Sequence, residues 1–153
     1  MTDLDRTDRR ILAILQNDGR ISTVELAERI GLSPTSAGER LRRLQKEGTI
    51  TGFTARIDPK RLGLGLLVFV EVYLDKTTPD AFDRFAQAVR RAPEVLECHM
   101  VAGGFDYLVK TRVADMAAYR RFLGEVLLAL PAVRETRTYA VMEEVKSDGV
   151  LPV

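Results

Sequence analysis

Apolar residues recur at helical spacing in three short runs of the N-terminal third. The first run covers residues 5–17. The second begins at Ser22, whose hydroxyl can form a capping box with Glu25, and it ends at Gly31. Ser33-Pro34 then starts the third run, since serine is a good N-cap and proline suits the first helical position. The pattern predicts three helices, of which the last two are joined by a tight turn.

The third predicted helix has an apolar stripe formed by Ala37, Leu41 and Leu44, which leaves hydroxyl and guanidinium groups on its other faces. Two helices joined by a tight turn form the geometry that places the second helix in the DNA major groove. Arginine can bind guanine through two hydrogen bonds, while serine and threonine suit phosphates or base edges. The expected DNA contacts are Ser33, Thr35, Ser36, Glu39, Arg40, Arg43 and Arg56.

Two further features belong to this helix-turn-helix, a candidate wing after the third helix and a glycine within it. Residues 50–57 are compatible with a small β-hairpin around Thr51-Gly52, a wing that could lay Thr54 or Arg56 on the DNA backbone. Gly38 lies inside the third helix, where glycine costs about 1 kcal/mol relative to alanine. Gly38 either allows close approach to DNA or is simply tolerated, and we favour tolerance.

A proline and several glycines in residues 59–65 indicate a linker. It would separate a winged helix-turn-helix domain, residues 1–58, from a second domain, residues 66–153. Hydrophobic periodicity in the second domain predicts the order β-α-β-β-α-β, with strands over 67–74, 95–102, 105–113 and 133–145 and helices over 79–91 and 115–130. This is the ferredoxin-like order, so the predicted fold class is α+β.

Both faces of the first predicted strand are largely apolar. In a ferredoxin-like sandwich the helices cover one sheet face and leave the other open. Leu67, Phe69 and Tyr73 would then form an apolar patch, and such patches mark association surfaces. We therefore expect a homodimer that pairs through the sheets, which also supplies the two-fold symmetry that paired helix-turn-helix units need.

Composition adds little beyond excluding some classes of protein. A hydrophobic fraction of 46% and a charged fraction of 29% are typical of a globular protein, and a net charge of +1 does not by itself favour nucleic acid. The single cysteine excludes an intrachain disulfide, and no secretory signal is recognised, so we expect a cytoplasmic protein. The longest apolar runs fall far short of the roughly 20 residues that span a bilayer.

Candidates for catalysis are weak. Cys98 and His99 are adjacent on a predicted strand, so they point to opposite faces and cannot form a nucleophile and base pair. A glycine-rich phosphate loop followed by lysine is absent, and one histidine with one cysteine cannot supply a transition-metal site without distant carboxylates. We expect no enzymatic activity. The alternative that remains open is an architectural DNA-binding protein with little sequence preference.

Short motifs along nearly the whole chain carry a family resemblance. They are Leu4-Asp-Arg-Thr-Asp8, Asp18-Gly-Arg-Ile21, Val24-Glu-Leu-Ala27, Gly31-Leu-Ser-Pro-Thr35, Leu67-Val-Phe-Val-Glu71, Glu97-Cys-His99, Phe105-Asp-Tyr107, Thr136-Arg-Thr-Tyr139 and Val141-Met-Glu-Glu-Val145. As a set they resemble the Lrp/AsnC family of bacterial transcription regulators. The resemblance implies a sequence-specific regulator of amino-acid metabolism. Its second domain would pair into dimers, assemble further into octamers, and bind an amino-acid effector such as leucine between neighbouring dimers, with no other cofactor and no metal.

The resemblance also implies where the effector would bind. Glycine amides can approach a carboxylate closely, an aspartate can pair with an ammonium or fix a loop, and methionines provide an adaptable apolar lining. The positions implied are Met100, Gly103, Gly104, Asp106, Tyr107, Met116, Thr136, Thr138, Tyr139 and Val141. One departure concerns the third helix, because relatives commonly have proline, cysteine and leucine where this chain has Ser36-Ala37-Gly38. We therefore expect a different base preference.

Overall fold

The computed structural model describes residues 3–75, 77–147 and 149–153. The chain divides into two compact units. The first contains the residues up to Arg56 together with Lys146–Val153, and the second contains Ile57–Val145. The C-terminal segment therefore belongs to the first unit, although the sequence pattern predicted it in the second. None of the helices in the described ranges is long and apolar enough to cross a membrane.

The first unit contains the three predicted helices. They are α1 (Arg6–Asn17), α2 (Thr23–Ile30) and α3 (Pro34–Lys46). Each begins at the polar N-cap residue that precedes it, because a side-chain oxygen there accepts a hydrogen bond from a free backbone amide. Their apolar stripes meet in one core whose fully buried members are Ile11, Leu26, Ala27, Ala37 and Leu44. The helix-turn-helix predicted from periodicity is confirmed.

The caps differ in one detail from the prediction. The Ser22 hydroxyl accepts a hydrogen bond from the Glu25 amide as expected, but the Glu25 carboxylate pairs with Arg29 at 2.6 Å rather than with the helix start. The complete capping box belongs to α1 instead, where Asp5 and Asp8 each accept a hydrogen bond from the other's backbone amide. Asp8 is completely buried.

The predicted wing is wrong as a hairpin. Residues 51–58, all of them described, form no strand. The Phe53 ring instead lies 3.1 Å from where a Cβ on Gly19, just past the end of α1, would be, and it lines a cavity with Leu12 and Leu15 of α1. Arg56 is exposed within this irregular segment. The sequence pattern of residues 50–57 therefore does not produce a hairpin here. The Phe53 ring lines a cavity beside α1 instead of packing across a strand pair.

The C-terminal segment is held on the first unit by paired hydrogen bonds. The Gln16 amide nitrogen donates to the Leu151 carbonyl at 3.1 Å, and the Leu151 amide donates back to the Gln16 oxygen at 2.7 Å. Leu151 and Val153 line a cavity of about 220 Å³ together with Leu12 and Leu15 of α1. The tail therefore covers an apolar part of α1.

The second unit is the predicted βαββαβ sandwich. Its elements are β1 (Leu66–Leu74), α4 (Pro79–Val89), β2 (Val95–Met100), β3 (Tyr107–Val113), α5 (Met116–Phe122) and β4 (Val133–Ala140). The four strands form one antiparallel sheet in the order β2-β3-β1-β4. Alternate residues of β1 pack with those of β3 and with both helices in a single core that includes Val70, Phe85 and Leu127.

Several element ends differ from the prediction. Strands β2 and β4 end at Met100 and Ala140, earlier than the apolar pattern suggested. The α-helical hydrogen bonding of α5 ends at Phe122 and gives way to a π-helical turn over Leu123–Leu127. A short 3-10 helix, Pro59–Leu62, occupies the predicted linker, where the Asp58 carboxylate accepts a hydrogen bond from the Lys60 amide.

The sheet face away from the helices is less apolar than predicted. Leu67 is only 6% exposed and lines a cavity with residues 141–144, which follow β4, so it does not contribute to an open patch. Phe69 is half-buried and pairs across strands with Tyr139. Glu71 accepts hydrogen bonds from the hydroxyls of Tyr73 and Tyr139, at 3.1 Å and 3.0 Å. The open face, which we call the outer face, therefore combines aromatic rings with a charged centre.

Candidate nucleic-acid interface and effector-binding residues

The turn between α2 and α3 depends on two residues. Gly31 adopts a left-handed conformation at φ 74°, which favours glycine, and this lets the Leu32 amide donate to the Ala27 carbonyl. The Ser33 hydroxyl then accepts from the Ser36 amide at 3.2 Å and donates to the Ser36 hydroxyl at 3.0 Å. Both predicted serine contacts are thus at the start of α3, where they form its cap.

One face of α3 is open to solvent. Thr35, Glu39, Arg42 and Lys46 recur at intervals of three or four residues and are all exposed. Arg42 donates from Nε to the Gly38 carbonyl of the same helix at 3.1 Å. We call these four residues the open face of α3. Thr35 and Glu39 were predicted contacts, whereas Arg42 was missed although it continues their helical spacing.

Arg40 and Arg43 were expected to point outward, but both pack against the start of α1. Arg40 Nη1 lies 2.6 Å from an Asp5 oxygen and 2.9 Å from an Asp8 oxygen. Arg43 Nη2 contacts both oxygens of Asp8, at 2.7 Å and 2.6 Å. Both arginines are half-buried against the start of α1. Because both guanidinium groups already form ion pairs with aspartates of the same unit, they are poor candidates for direct base contacts.

The charge pairing shifts the pKa values of these groups. The hydrogen bond from the Asp8 amide, together with that from Arg40, lowers the pKa of Asp5. Hydrogen bonds to Asp5 and then Asp8 raise the pKa of Arg40, and a hydrogen bond to Asp8 raises the pKa of Arg43. All three groups are therefore held in their charged forms.

Gly38 borders the open face and tolerates a side chain. A Cβ there would lie 3.5 Å from Thr23 Cγ2 and 3.6 Å from Arg42 Nη2, both ordinary van der Waals distances. We predict that Gly38→Ala raises the unfolding free energy of the first unit by about 0.5–1 kcal/mol, because alanine favours the helix. Urea unfolding followed by circular dichroism measures this. Gly31→Ala is the opposite control, since its left-handed backbone disfavours alanine, and a destabilised Gly38→Ala would contradict the prediction.

The loop between β2 and β3 carries the predicted glycines. Gly103 and Gly104 are exposed, with nothing within 4 Å of an added Cβ. The Asp106 carboxylate accepts a hydrogen bond from the Leu74 amide at 2.8 Å, and the Asp106 amide donates to the Val72 carbonyl. Of the two roles considered for Asp106, fixing the loop is the one its contacts support.

The predicted residues on β2 and β3 lie at the helix side of the sheet. Tyr107 is 5% exposed, and its ring centroid lies 4.4 Å from that of Phe85. Met100, its cross-strand partner, is 58% exposed. Both line a groove of about 600 Å³ between α4 and β2, together with Phe82 and Cys98. Tyr107 is therefore largely a core residue.

Strand alternation separates the predicted residues of β4 and beyond. Thr138 faces the helices, where its hydroxyl lies 2.5 Å from that of Tyr119, and Thr136 shares its side. Tyr139 lies on the outer face, and Val141 lines the cavity that Leu67 also lines. Met116 is exposed at the start of α5. A single chain thus does not bring the ten predicted effector residues into one pocket.

The single cysteine of the chain is partly buried. Cys98 and His99 take cross-strand partners Val109 and Leu108 on opposite sheet faces, as predicted. Burial raises the pKa of the Cys98 thiol to about 11. The described residues contain no group of three histidine, cysteine or acidic side chains that could hold a metal ion.

We predict that Cys98 is alkylated slowly. Because the thiolate is the reactive form, a thiol pKa of about 11 lowers the thiolate fraction at pH 8 by roughly a hundredfold. A more basic thiolate is also more nucleophilic, so the iodoacetamide rate should fall by about tenfold. Mass spectrometry of the folded chain measures the rate, and the same chain in urea is the control. Equal rates in the two conditions would show that the thiol is not shielded.

An exposed helix presented by a tight turn, joined to a separate sheet-and-helix unit, defines a DNA-binding regulator with a second domain. Comparison with known families agrees. Residues 4–51 match the model described as winged helix-turn-helix DNA-binding, and residues 67–151 match the model described as Lrp/AsnC ligand binding domain. The chain belongs to the Lrp/AsnC family of transcription regulators.

Individual relatives support this assignment. The chain is 58% identical over 151 residues to the leucine-responsive regulatory proteins of Escherichia coli K12 and Klebsiella pneumoniae, covering 99% of this chain and 92% of theirs. A transcriptional regulator of Neisseria meningitidis, solved as a complex with L-Met, is 37% identical with a TM-score of 0.93, covering 98% of this chain and 97% of that one. An AsnC-family regulator of Agrobacterium tumefaciens is 32% identical with a TM-score of 0.91, covering 97% and 96%. The predicted fold class and regulatory function are confirmed, and the relatives are named as regulators rather than enzymes.

Proposed function

We propose that this chain reads DNA through the open face of α3 and that a small apolar amino acid modulates the binding. The observation that carries the proposal is that α3 begins shortly after the tight turn at Gly31 and that the four residues of its open face are exposed. Ser33 and Ser36 would lie beside the backbone phosphates at the helix start. Because the DNA target of a bacterial regulator is in the cytoplasm, the protein would act there.

Binding to selected DNA tests the first part. A duplex is selected from a random pool with the full-length chain, and its affinity is compared with that of a shuffled duplex at the same salt concentration. A specific regulator should prefer the selected duplex by roughly a thousandfold or more. Equal affinities would support the alternative, an architectural protein with little sequence preference.

The outer face of the sheet would be the dimer interface. Phe69, Tyr73 and Tyr139 provide the aromatic area that interface cores favour, and the two tyrosine hydroxyls supply hydrogen bonds to Glu71 between them. A dimer would carry two α3 helices for two half-sites of DNA. Sedimentation equilibrium at micromolar concentration should find a dimer or a larger multiple, up to an octamer. A stable monomer would rule out the proposed interface.

The effector is proposed to be leucine or a similar apolar amino acid. The relatives named above include leucine-responsive proteins and one solved with L-Met. The ten candidate residues lie on both faces and at the loops of the sheet, a distribution that suits a site completed by a neighbouring chain. The amides of Gly103 and Gly104 would meet the ligand carboxylate, while Met100 and Met116 would contact its side chain.

Calorimetric titration with leucine, methionine and alanine tests this assignment. Met100→Ala should weaken binding of the preferred amino acid by about tenfold, because an apolar contact is lost. Met142→Ala is a matched control, since Met142 is fully exposed and outside the candidate set. Unchanged binding to Met100→Ala would remove Met100 from the site.

A further inference from the structure

The buried carboxylate of Asp8 joins the start of α1 to the middle of α3. Its side chain is 1% exposed and receives charged hydrogen bonds from Arg40 and Arg43, which lie 32 and 35 residues further along the chain. Arg43 reaches both carboxylate oxygens with one nitrogen. Asp5 takes a second contact from Arg40. We call these four residues the aspartate clamp.

The clamp balances its own charge. Two arginines face two aspartates, so the group as a whole offers no net positive charge to a phosphate backbone. Arg42 differs from its two neighbours. It is exposed, and among the ion pairs formed by the described residues none involves Arg42. Of the three arginines in the centre of α3, Arg42 is thus the one with its charge available to DNA.

The clamp also holds α3 against rotation about its own axis. A helix turns by about 100° per residue, so Arg40 and Arg43 share one side while Arg42 lies on another. The apolar stripe with Ala37 and Leu44 anchors a third side of the helix in the core. Anchoring the helix on two sides leaves the side with Thr35 and Arg42 facing solvent.

We propose that Asp8 is a positioning residue for DNA reading. By holding Arg40 and Arg43, it orients α3 so that Arg42 contacts the duplex, and the two clamped arginines make no phosphate contact of their own. This inference rests on the proposed reading of DNA by α3 and assigns separate roles to arginines that the sequence alone could not distinguish. It expects loss of selectivity, rather than loss of electrostatic attraction, when the clamp is broken.

The salt dependence of binding separates the two roles. Each phosphate contact contributes a slope of about −0.9 to the plot of log affinity against log salt concentration on duplex DNA. The full-length chain is titrated with the duplex it selects from a random pool and with a shuffled duplex, using fluorescence anisotropy. Arg42→Gln should weaken binding and reduce the magnitude of the slope by about 1. Arg40→Gln and Arg43→Gln should leave the slope unchanged; a reduction equal to that of Arg42→Gln would overturn the proposal.

Selectivity gives the second readout. Asp8→Asn keeps the shape of the side chain and removes its charge, so it should lower affinity for the selected duplex at least tenfold while leaving affinity for the shuffled duplex equal or higher. Should Asp8→Asn fail to fold by circular dichroism, Arg43→Gln decides, since glutamine removes the charge that pairs with Asp8. Arg43→Gln should also lose selectivity at unchanged slope. Unchanged selectivity in the folded variant would exclude a positioning role.

The proposed function and this inference would be contradicted by different results. Equal binding of the wild-type chain to selected and shuffled duplexes would contradict sequence reading itself. A selective wild-type chain whose slope depends on Arg40 as much as on Arg42 would contradict only the clamp.

Discussion

Replacing Phe85 by alanine is expected to destabilise the second unit by about 4 kcal/mol, since large aromatic-to-alanine changes in a core cost roughly 3–5 kcal/mol. Phe85 is fully buried, and its ring stacks on that of Tyr107 in the centre of the core. The chain has four tyrosines and no tryptophan, and all four tyrosines lie in the second unit. Urea unfolding followed by tyrosine fluorescence therefore reports this unit selectively.

Phe82 provides the matched control on the same helix. It is half-buried and meets the Tyr107 ring edge-on at a centroid distance of 6.2 Å. Phe82→Ala should therefore cost about 1–2 kcal/mol, because less apolar area is lost. Equal midpoints for the two variants would show that Phe85 is not central to this core.

Replacing Asp8 by alanine is expected to destabilise the first unit by about 3 kcal/mol. Removing one partner of a buried ion pair leaves uncompensated charge and costs roughly 3–5 kcal/mol, and the lower end applies because both arginines are partly exposed. The capping box of α1 is lost as well. Far-UV circular dichroism should show helix unfolding at a urea concentration where tyrosine fluorescence is still unchanged.

Asp80 is the control for Asp8. It pairs with Arg84 at 3.0 Å, but its side chain is 76% exposed, and exposed ion pairs contribute about 0–1 kcal/mol. Asp80→Ala should leave both transitions within about 0.5 kcal/mol of the wild type. A similarly small effect of Asp8→Ala would mean that its contacts with the two arginines do not stabilise the unit.

Much of the fold was predictable because it follows from local patterns. The helical period of Ile11 and Leu15, the serine caps and Gly31 determine the three N-terminal helices through contacts within a few residues. The apolar run that forms β1 was likewise predicted as a strand, with both faces largely apolar and one of them covered by helices. The ends of β2 and β4 were harder to predict, since strand pairing depends on partners distant in sequence.

The site was less predictable because its geometry depends on long-range contacts. The sequence alone does not distinguish Arg40, Arg42 and Arg43, because all three are arginines of one helix. Only the ion pairs with Asp8 separate Arg40 and Arg43 from Arg42. The prediction that adjacent residues of β4 line one pocket was wrong for a single chain. Thr138 and Tyr139 must face opposite sides of a sheet, as the structure confirms.

The return of Lys146–Val153 to the first unit makes the second unit an insertion within the first. The chain passes between the units twice, once at Arg56–Ile57 and once at Val145–Lys146. After a protease cut at the first passage, the two fragments would be connected only by the non-covalent contacts of the tail with α1, among them the Gln16–Leu151 hydrogen bonds. A bulky group attached at Val153 would crowd α1 of the DNA-binding unit, because Val153 lines the same cavity as Leu12 and Leu15.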